Sequence, residues 1–304
     1  MFSPITLDAL RTLDAIDRRK SFAAAAEELY RVPSALSYTI SKLEEELGVE
    51  IFDRSRRKAE LTPVGRLILE QGRDILLATE ELTQLARQKA EGWEVELTLC
   101  IDSLISYEPV FELIAEFQQI QPRVKVRLLE EVLGGGWDAL NSERCDLVIG
   151  APGASPARKI ETFPLGEVVF EFAVAAGHPL TRLAQPIALE QVRQFPTVVV
   201  ADSSRHLPVR STGLLDGRSR ITVPSMQKKI EAQINGVGVG YLPVHMISRA
   251  LDEKQLIPLT LSEIRDTVDL HLAWRRGPLG KGAKWFIERL QQYRFDPQQG
   301  LVRI

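Results

Sequence analysis

SFAAAAEELYRVPSALSYTISKLEEELG, residues 21–48, reads as a short alanine-rich helix, a tight break, and a longer helix with two chemically different faces. Pro33 suits the first position of the second helix, where the missing N–H would be unpaired in any case. Gly48 can take the left-handed conformation that closes it. Between them Leu36, Ile40, Leu43 and Leu47 recur at i, i+4, i+7 and i+11 as one apolar stripe. Ser34, Ser37, Tyr38 and Ser41 fall on the opposite face, with Ala35 beside them. Uncharged hydrogen-bonding side chains in the first half of such a helix are suited to base edges in the DNA major groove. Upstream, Ser21 is placed to cap a helix whose Phe22, Ala25, Ala26 and Leu29 face inward, the small alanines allowing close packing. The pair therefore predicts a helix-turn-helix.

Two neighbouring segments extend this unit. Ile51-Phe52-Asp53 and Ala59-Glu60-Leu61 read as short strands flanking Arg54-Ser55-Arg56-Arg57-Lys58, a basic hairpin tip. Arg54, Arg56, Arg57 and Lys58, together with Thr62, are the expected phosphate contacts, which position a protein without reading sequence. From Thr62 to about Glu91 the pattern predicts one long helix, capped by Thr62, opened by Pro63 and ended by Gly92. Leu61, Ile68, Ile75 and Leu82 recur every seven residues, with Val64, Gln71, Ala78 and Leu85 three places on. At ~45 Å such a helix is long for packing on its own chain alone. Ile68, Ile75, Ala78, Leu82 and Leu85 are therefore its expected dimerisation residues.

The elements SFAAAAEEL, ALSYTISKLEEELGV, IFDR and LTPVG stand in order and without a gap from about Leu7 to Gly65. In them the chain resembles the DNA-binding domain of LysR-type transcriptional regulators. The resemblance implies a winged helix-turn-helix at 1–65 and a linker helix at 62–91 that pairs two subunits over a near-palindromic operator. Two departures stand out. Val32 and Pro33 replace the family's usual capping Ser or Thr and following Gln, and Tyr38-Thr39 replace a frequent Arg-Gln. Reading is thus expected to fall on Ser34, Ser37 and Tyr38, with more reliance on the wing and on DNA shape.

With 304 residues, 44% hydrophobic and 26% charged, the chain has material for two or three domains. A formal net charge of −3 argues against general nucleic-acid coating but not against a local basic wing. Cys100 and Cys145, the only cysteines, support no disulfide framework and fit a reducing cytoplasm, the expected location. No apolar run approaches a membrane span, and no signal peptide is readable. After Trp93, strand-like runs at 97–101, 124–129 and 145–150 alternate with a helical segment at 109–120, the rhythm of an α/β fold. A second unit continues at 167–176, 197–201, 221–223 and 237–242, before a strand at 270–274 and a last helix at 281–293. Here the resemblance to LysR-type effector domains is looser, resting on Asp146-Leu147-Val148-Ile149, His178-Pro179-Leu180 and the stretch from Gly236 to Pro243. It implies an effector domain at 93–304 with two α/β lobes, about 93–160 with 267–296 and about 161–265, resembling periplasmic solute-binding proteins. The chain would cross between them near Glu161 and again near Arg265.

Catalytic motifs find no support. Gly236-Val237-Gly238-Val239-Gly240 follows a helix and enters a strand, the reverse of a dinucleotide loop. Gly134-Gly135-Gly136 reads as a flexible connector, and the four histidines have no metal spacing. No cofactor, metal or enzyme activity is expected. Candidate effector contacts are Asp102, Ser103, Ile105 and Leu133 on one side, and Asp202, Ser203, Ser204, Arg205 and Ser225 on the other. The preferred picture is a carboxylate held by Ser103, Ser204 and Arg205 near a helix amino end. The expected whole is a dimeric or tetrameric regulator of transcription, with RNA polymerase a candidate partner.

Overall fold

The structure is a computed structural model that describes residues 3–53, 59–155, 159–208, 210, 218–263 and 267–304. The chain divides into Met1–Glu91 and Gly92–Ile304. The first unit contains helices α1 (Leu7–Arg19), α2 (Phe22–Glu28), α3 (Pro33–Leu47) and α4 (Pro63–Ala90). Thr6, Ser21 and Thr62 cap α1, α2 and α4 by accepting the N–H groups of Ala9, Ala24 and Gly65. Val32 supplies α3 with no side-chain cap, so Pro33 alone opens it, and Gly48 closes it at φ +67°. Leu36, Ile40 and Leu43 are buried against Leu13 and Ile16 of α1 and the alanines Ala25 and Ala26 of α2. Ile51, Phe52 and Leu69 close the same core.

Helix α4 has two different halves. In the first half the buried positions Gly65, Leu69 and Gly72 recur at i, i+4 and i+7, facing the first unit's own core, and in the second half only Gln88 is buried. A methyl group on Gly72 would come within 2.6 Å of a terminal methyl of Leu10, so glycine lets α4 pack closely on α1 without displacing that side chain. Arg73 adds ion pairs to Asp14 at 2.8 Å and Asp17 at 3.0 Å. Ile68 is half-buried against this core, whereas Ile75, Ala78 and Leu82 are exposed and Leu85 is half-buried.

The second unit runs β1 (Glu96–Asp102), α5 (Tyr107–Ile120), β2 (Lys125–Glu131), α6 (Gly135–Asn141), β3 (Leu147–Pro152), β4 (Ile160–Val168) and β5 (Phe170–Ala175). It continues with α7 (Leu189–Val192), β6 (Thr197–Val200), β7 (Arg220–Val223), α8 (Met226–Ile234), β8 (Gly240–Pro243), α9 (Val244–Asp252) and β9 (Leu256–Pro258). Last come β10 (Val268–Arg275), α10 (Lys281–Leu290), β11 (Tyr293–Asp296) and β12 (Gly300–Arg303). One lobe is a seven-stranded sheet of order β12-β11-β4-β10-β3-β1-β2, in which β1, β2 and β3 are parallel. The other lobe combines the sheets β8-β5-β9 and β6-β7, joined where Val198 donates its N–H to Val239.

The lobe boundary differs from the expectation. Strand β4 pairs with β10 from Ile160 to Val168 and so belongs to the first lobe. The chain crosses at Val169, later than Glu161, because β4 must run the full length of its partner before it is released. Arg265, the expected return point, lies outside the described residues. The hairpin β11–β12 also extends the first lobe beyond the helix that was expected to end the fold.

Candidate functional site

Ser34, Ser37, Tyr38 and Ser41 all face solvent on α3, and Ala35 is half-buried among them. Tyr38 is 70% exposed, far more than a ring of its size needs to satisfy one hydroxyl. Ser37 donates its hydroxyl back to Pro33 O at 3.1 Å, a local bond that leaves its oxygen free to accept. The wing is anchored at its base, where Asp53 N–H donates to Glu60 O at 2.9 Å and Phe52 bridges Leu61. Its tip, with Arg54, Arg56, Arg57 and Lys58, lies outside the described residues. Thr62 has structural engagements: its Oγ1 accepts Gly65 N–H at 3.0 Å and donates to Glu50 O at 2.7 Å.

Sequence reasoning missed Glu44. It is buried, and its Oε1 accepts the N–H groups of Ile51 at 2.8 Å and Phe52 at 3.2 Å. One carboxylate thus fixes α3 to Ile51 and Phe52, where the two expected short strands are reduced to the single bridge Phe52–Leu61. Its only sequence signal is a glutamate directly after Leu43 on an otherwise apolar stripe.

In the second unit the carboxyl ends of β1, β2 and β3 open onto a cavity of about 440 Å³. This is where an open parallel sheet leaves strand ends free for a ligand. Asp102, Ser103 and Leu104 follow β1, Val132 and Leu133 follow β2, and Pro152 and Gly153 end β3. The second lobe contributes Phe170, the segment Val199–Asp202, Arg210, Arg220, Thr222, Met226 and Lys229, and Thr267–Asp269 line the hinge. Of the expected contacts, Asp102, Ser103, Leu133 and Asp202 are on this wall.

The other five have different tasks. Ile105 is buried against Gly150, and Ser225 caps α8 by accepting Lys228 N–H at 3.3 Å. Ser203 donates its hydroxyl to the Glu131 carboxylate and accepts Val132 N–H at 2.8 Å, tying the second lobe to the end of β2. Ser204 donates to Asp202 at 2.7 Å. Arg205 is exposed and off the cavity wall. The same loop continues onto α6, where buried Asp138 accepts His206 N–H at 2.9 Å and Leu207 N–H at 3.0 Å and pairs with Arg144 at 3.1 Å. Burial alone would raise the Asp138 carboxyl, but these donors outweigh it and hold it below its ordinary range. Gly134 and Gly135 are no flexible connector. They open α6, and a side chain on either would strike Ser204 or Ser203. Ser203 therefore ties the lobes together, and of the three expected carboxylate holders Ser204 is bonded within its own loop and Arg205 is off the wall, which leaves Ser103 alone on it.

Asp102 is the exceptional group on the wall. It is 1% exposed. One oxygen accepts Leu104 N–H at 3.0 Å. Burial pushes its carboxyl up to about 8, with the help of Glu130 and Asp202 and against the Leu104 and Leu133 N–H groups. Among the described residues no cluster of His, Cys, Asp and Glu is placed to hold a metal, and no helix is long and apolar enough to cross a membrane. Cys100 and Cys145 are both buried free thiols.

Residues 7–66 match the family description "Bacterial regulatory helix-turn-helix protein, lysR family", and residues 90–294 match "LysR substrate binding domain". The probable HTH-type transcriptional regulator YhaJ of Escherichia coli K12 is 38% identical over 288 residues, covering 94% of this chain and 96% of that protein. The HTH-type transcriptional regulator PunR of the same strain is 34% identical, covering 93% of this chain and 91% of that one. In fold the chain is similar to a Corynebacterium glutamicum OxyR C206 mutant, with TM-score 0.60 at 21% identity, covering 94% and 91% of the two chains. CbnR, a LysR family transcriptional regulator, follows with TM-score 0.50 at 18% identity, covering 93% and 99%. Carrying both family domains in order, the chain belongs to the LysR family of transcriptional regulators, DNA-binding proteins with an effector-binding domain rather than enzymes.

Proposed function

We propose that α3 reads a near-palindromic operator through Ser34, Ser37, Tyr38 and Ser41, and that a small effector in the cavity controls the reading. The observation that carries this is one chain holding both an outward polar helix face and a cavity walled by two lobes. Arg54, Arg56, Arg57 and Lys58 supply phosphate contacts from the wing. Two copies pair through the exposed half of α4, at Ile75, Ala78, Leu82 and Leu85, and Ile68 contributes less because it already packs on its own core. Twofold pairing sets two reading helices on two half-sites, and dimers of such dimers give the tetramer. The effector acts by binding two arrangements of the effector domains unequally, which alters the spacing of the helices and the polymerase's access. The sequence-based choice of a carboxylate effector loses its support, since Ser204 and Arg205 do not face the cavity.

Operator selection followed by binding titrations tests the division of labour. Tyr38→Ala is expected to relax preference at particular bases by about 1–3 kcal/mol. Arg56→Ala or Arg57→Ala is expected to weaken all DNA alike and flatten the salt dependence. A wing variant that changes base preference, with Tyr38→Ala changing none, would overturn the assignment.

A further inference from the structure

The turn between α2 and α3 carries a side chain for which the fold has no use. Helix α2 ends in a complete closing motif, in which Arg31 N–H donates to Ala26 O at 2.9 Å and Tyr30 N–H donates to Glu27 O at 3.2 Å. That pair of bonds requires a left-handed residue just before Arg31, and glycine is the usual one because a Cβ is strained there. Here the residue is tyrosine, at φ +55°. Packing does not offset the strain. Tyr30 is 97% exposed, more than any other large hydrophobic side chain among the described residues. A strained backbone that holds a ring out into water points to a partner outside the chain.

The turn is also held firmly. The Arg31 guanidinium pairs with Asp8 of α1 at 2.8 Å, and Pro33 opens α3 two residues later. The backbone at Tyr30 is therefore fixed from both sides. Arg31 has its charge met by Asp8, and Val32 is apolar and exposed, so the Tyr30 hydroxyl is the polar group the turn has to offer. In a helix-turn-helix the first helix crosses the DNA backbone and the second enters the major groove. The turn joining them thus passes the phosphates at the groove's edge, and tyrosine hydroxyls are among the groups that bind phosphate.

On the reading that α3 enters the groove, we propose that Tyr30 is a further operator contact, its hydroxyl donating to a backbone phosphate and so positioning α3 without reading a base.

Binding titrations of the full chain on its selected operator and on a duplex of unrelated sequence, over a range of salt, test this. Tyr30→Phe keeps the ring and loses only the hydroxyl. It is expected to weaken both duplexes by the same factor, about tenfold. The salt slope should not change, because a neutral hydroxyl releases no counterion, whereas Arg56→Ala flattens it. Tyr30→Asn, which suits φ +55° without glycine's added chain freedom, is expected to melt no earlier than the unsubstituted protein. Earlier melting of Tyr30→Asn would give the ring a task in the fold and overturn the inference. Full-strength binding by Tyr30→Phe, or a loss confined to the operator, would overturn it as well. If Tyr38→Ala relaxes base preference while Tyr30→Phe changes nothing, only the Tyr30 contact falls. If both variants are silent, the placement of α3 in the groove falls with it.

Discussion

In the N-terminal unit the candidate contact groups Ser34, Ser37, Tyr38 and Ser41 lie within about two turns of one helix, whereas the cavity wall of the C-terminal unit is gathered from strand ends as distant as Asp102 and Asp269. The serines show what this difference does. Ser37 sits on an exposed helix face, and its place there follows from the stripe of Leu36, Ile40 and Leu43 alone. Ser203 and Ser204 follow a strand, and the partners that absorb them, Glu131 and Asp202, include one from the other lobe. A helix face is defined by its own period. The function of a loop side chain is defined by whatever the fold brings against it.

The sharpest way to break this contrast is to cut each region's own tie and ask whether the other responds. Asp138→Ala removes the carboxylate that holds Arg144, His206 N–H and Leu207 N–H together. It is expected to cost the C-terminal unit about 3–5 kcal/mol. Intrinsic fluorescence in denaturant reads this directly, since Trp93, Trp137, Trp274 and Trp285 all belong to that unit. Unchanged fluorescence unfolding would mean that the loop does not staple the lobes.

Glu44→Ala addresses the N-terminal unit. Two buried N–H groups lose their acceptor, for an expected cost of about 2–4 kcal/mol and a matching loss of operator binding. Far-UV circular dichroism should show an earlier transition while tryptophan fluorescence stays in place. A shift of both together would join what the comparison separates.

The smallest expected effect sharpens the cavity side. The folded-state carboxyl of Asp102 titrates at about 8, above the ordinary value of 3.8. Between those values the folded chain holds a proton that the unfolded chain has lost, so stability falls as pH rises through that window. Asp102→Asn has no such proton. From pH 5 to 8 the unsubstituted protein should lose on the order of 1–2 kcal/mol relative to the variant, the cavity beside the group moderating the cost. Parallel melting curves for the two proteins across this range would show that Asp102 is already ionised in the folded state.

Much of the architecture was legible because local signals agreed with one another. Pro33 and Gly48 mark the ends of α3, Thr62 and Pro63 open α4, and the strand β1 stands where Leu97 to Ile101 form an apolar run. The errors have physical causes. Residues 160–168 carry no mark saying which sheet they join, and pairing with β10 settles it. The glycines from Gly134 to Gly136 look mobile in sequence, but Gly134 and Gly135 make room for a loop that begins at Asp202. Thr62 appears available to phosphate until the carbonyl of Glu50 is found beside it.

By itself the sequence determined helix α3, its exposed polar face and the apolar period of α4, since these depend on spacing along one helix. Only the tertiary structure decided which polar groups remain available at the cavity. It engages Ser203 and Ser204 in protein bonds and buries the Asp102 carboxyl beside the cavity. Satisfaction of a buried polar atom depends on neighbours in space, and those neighbours are far away in the chain.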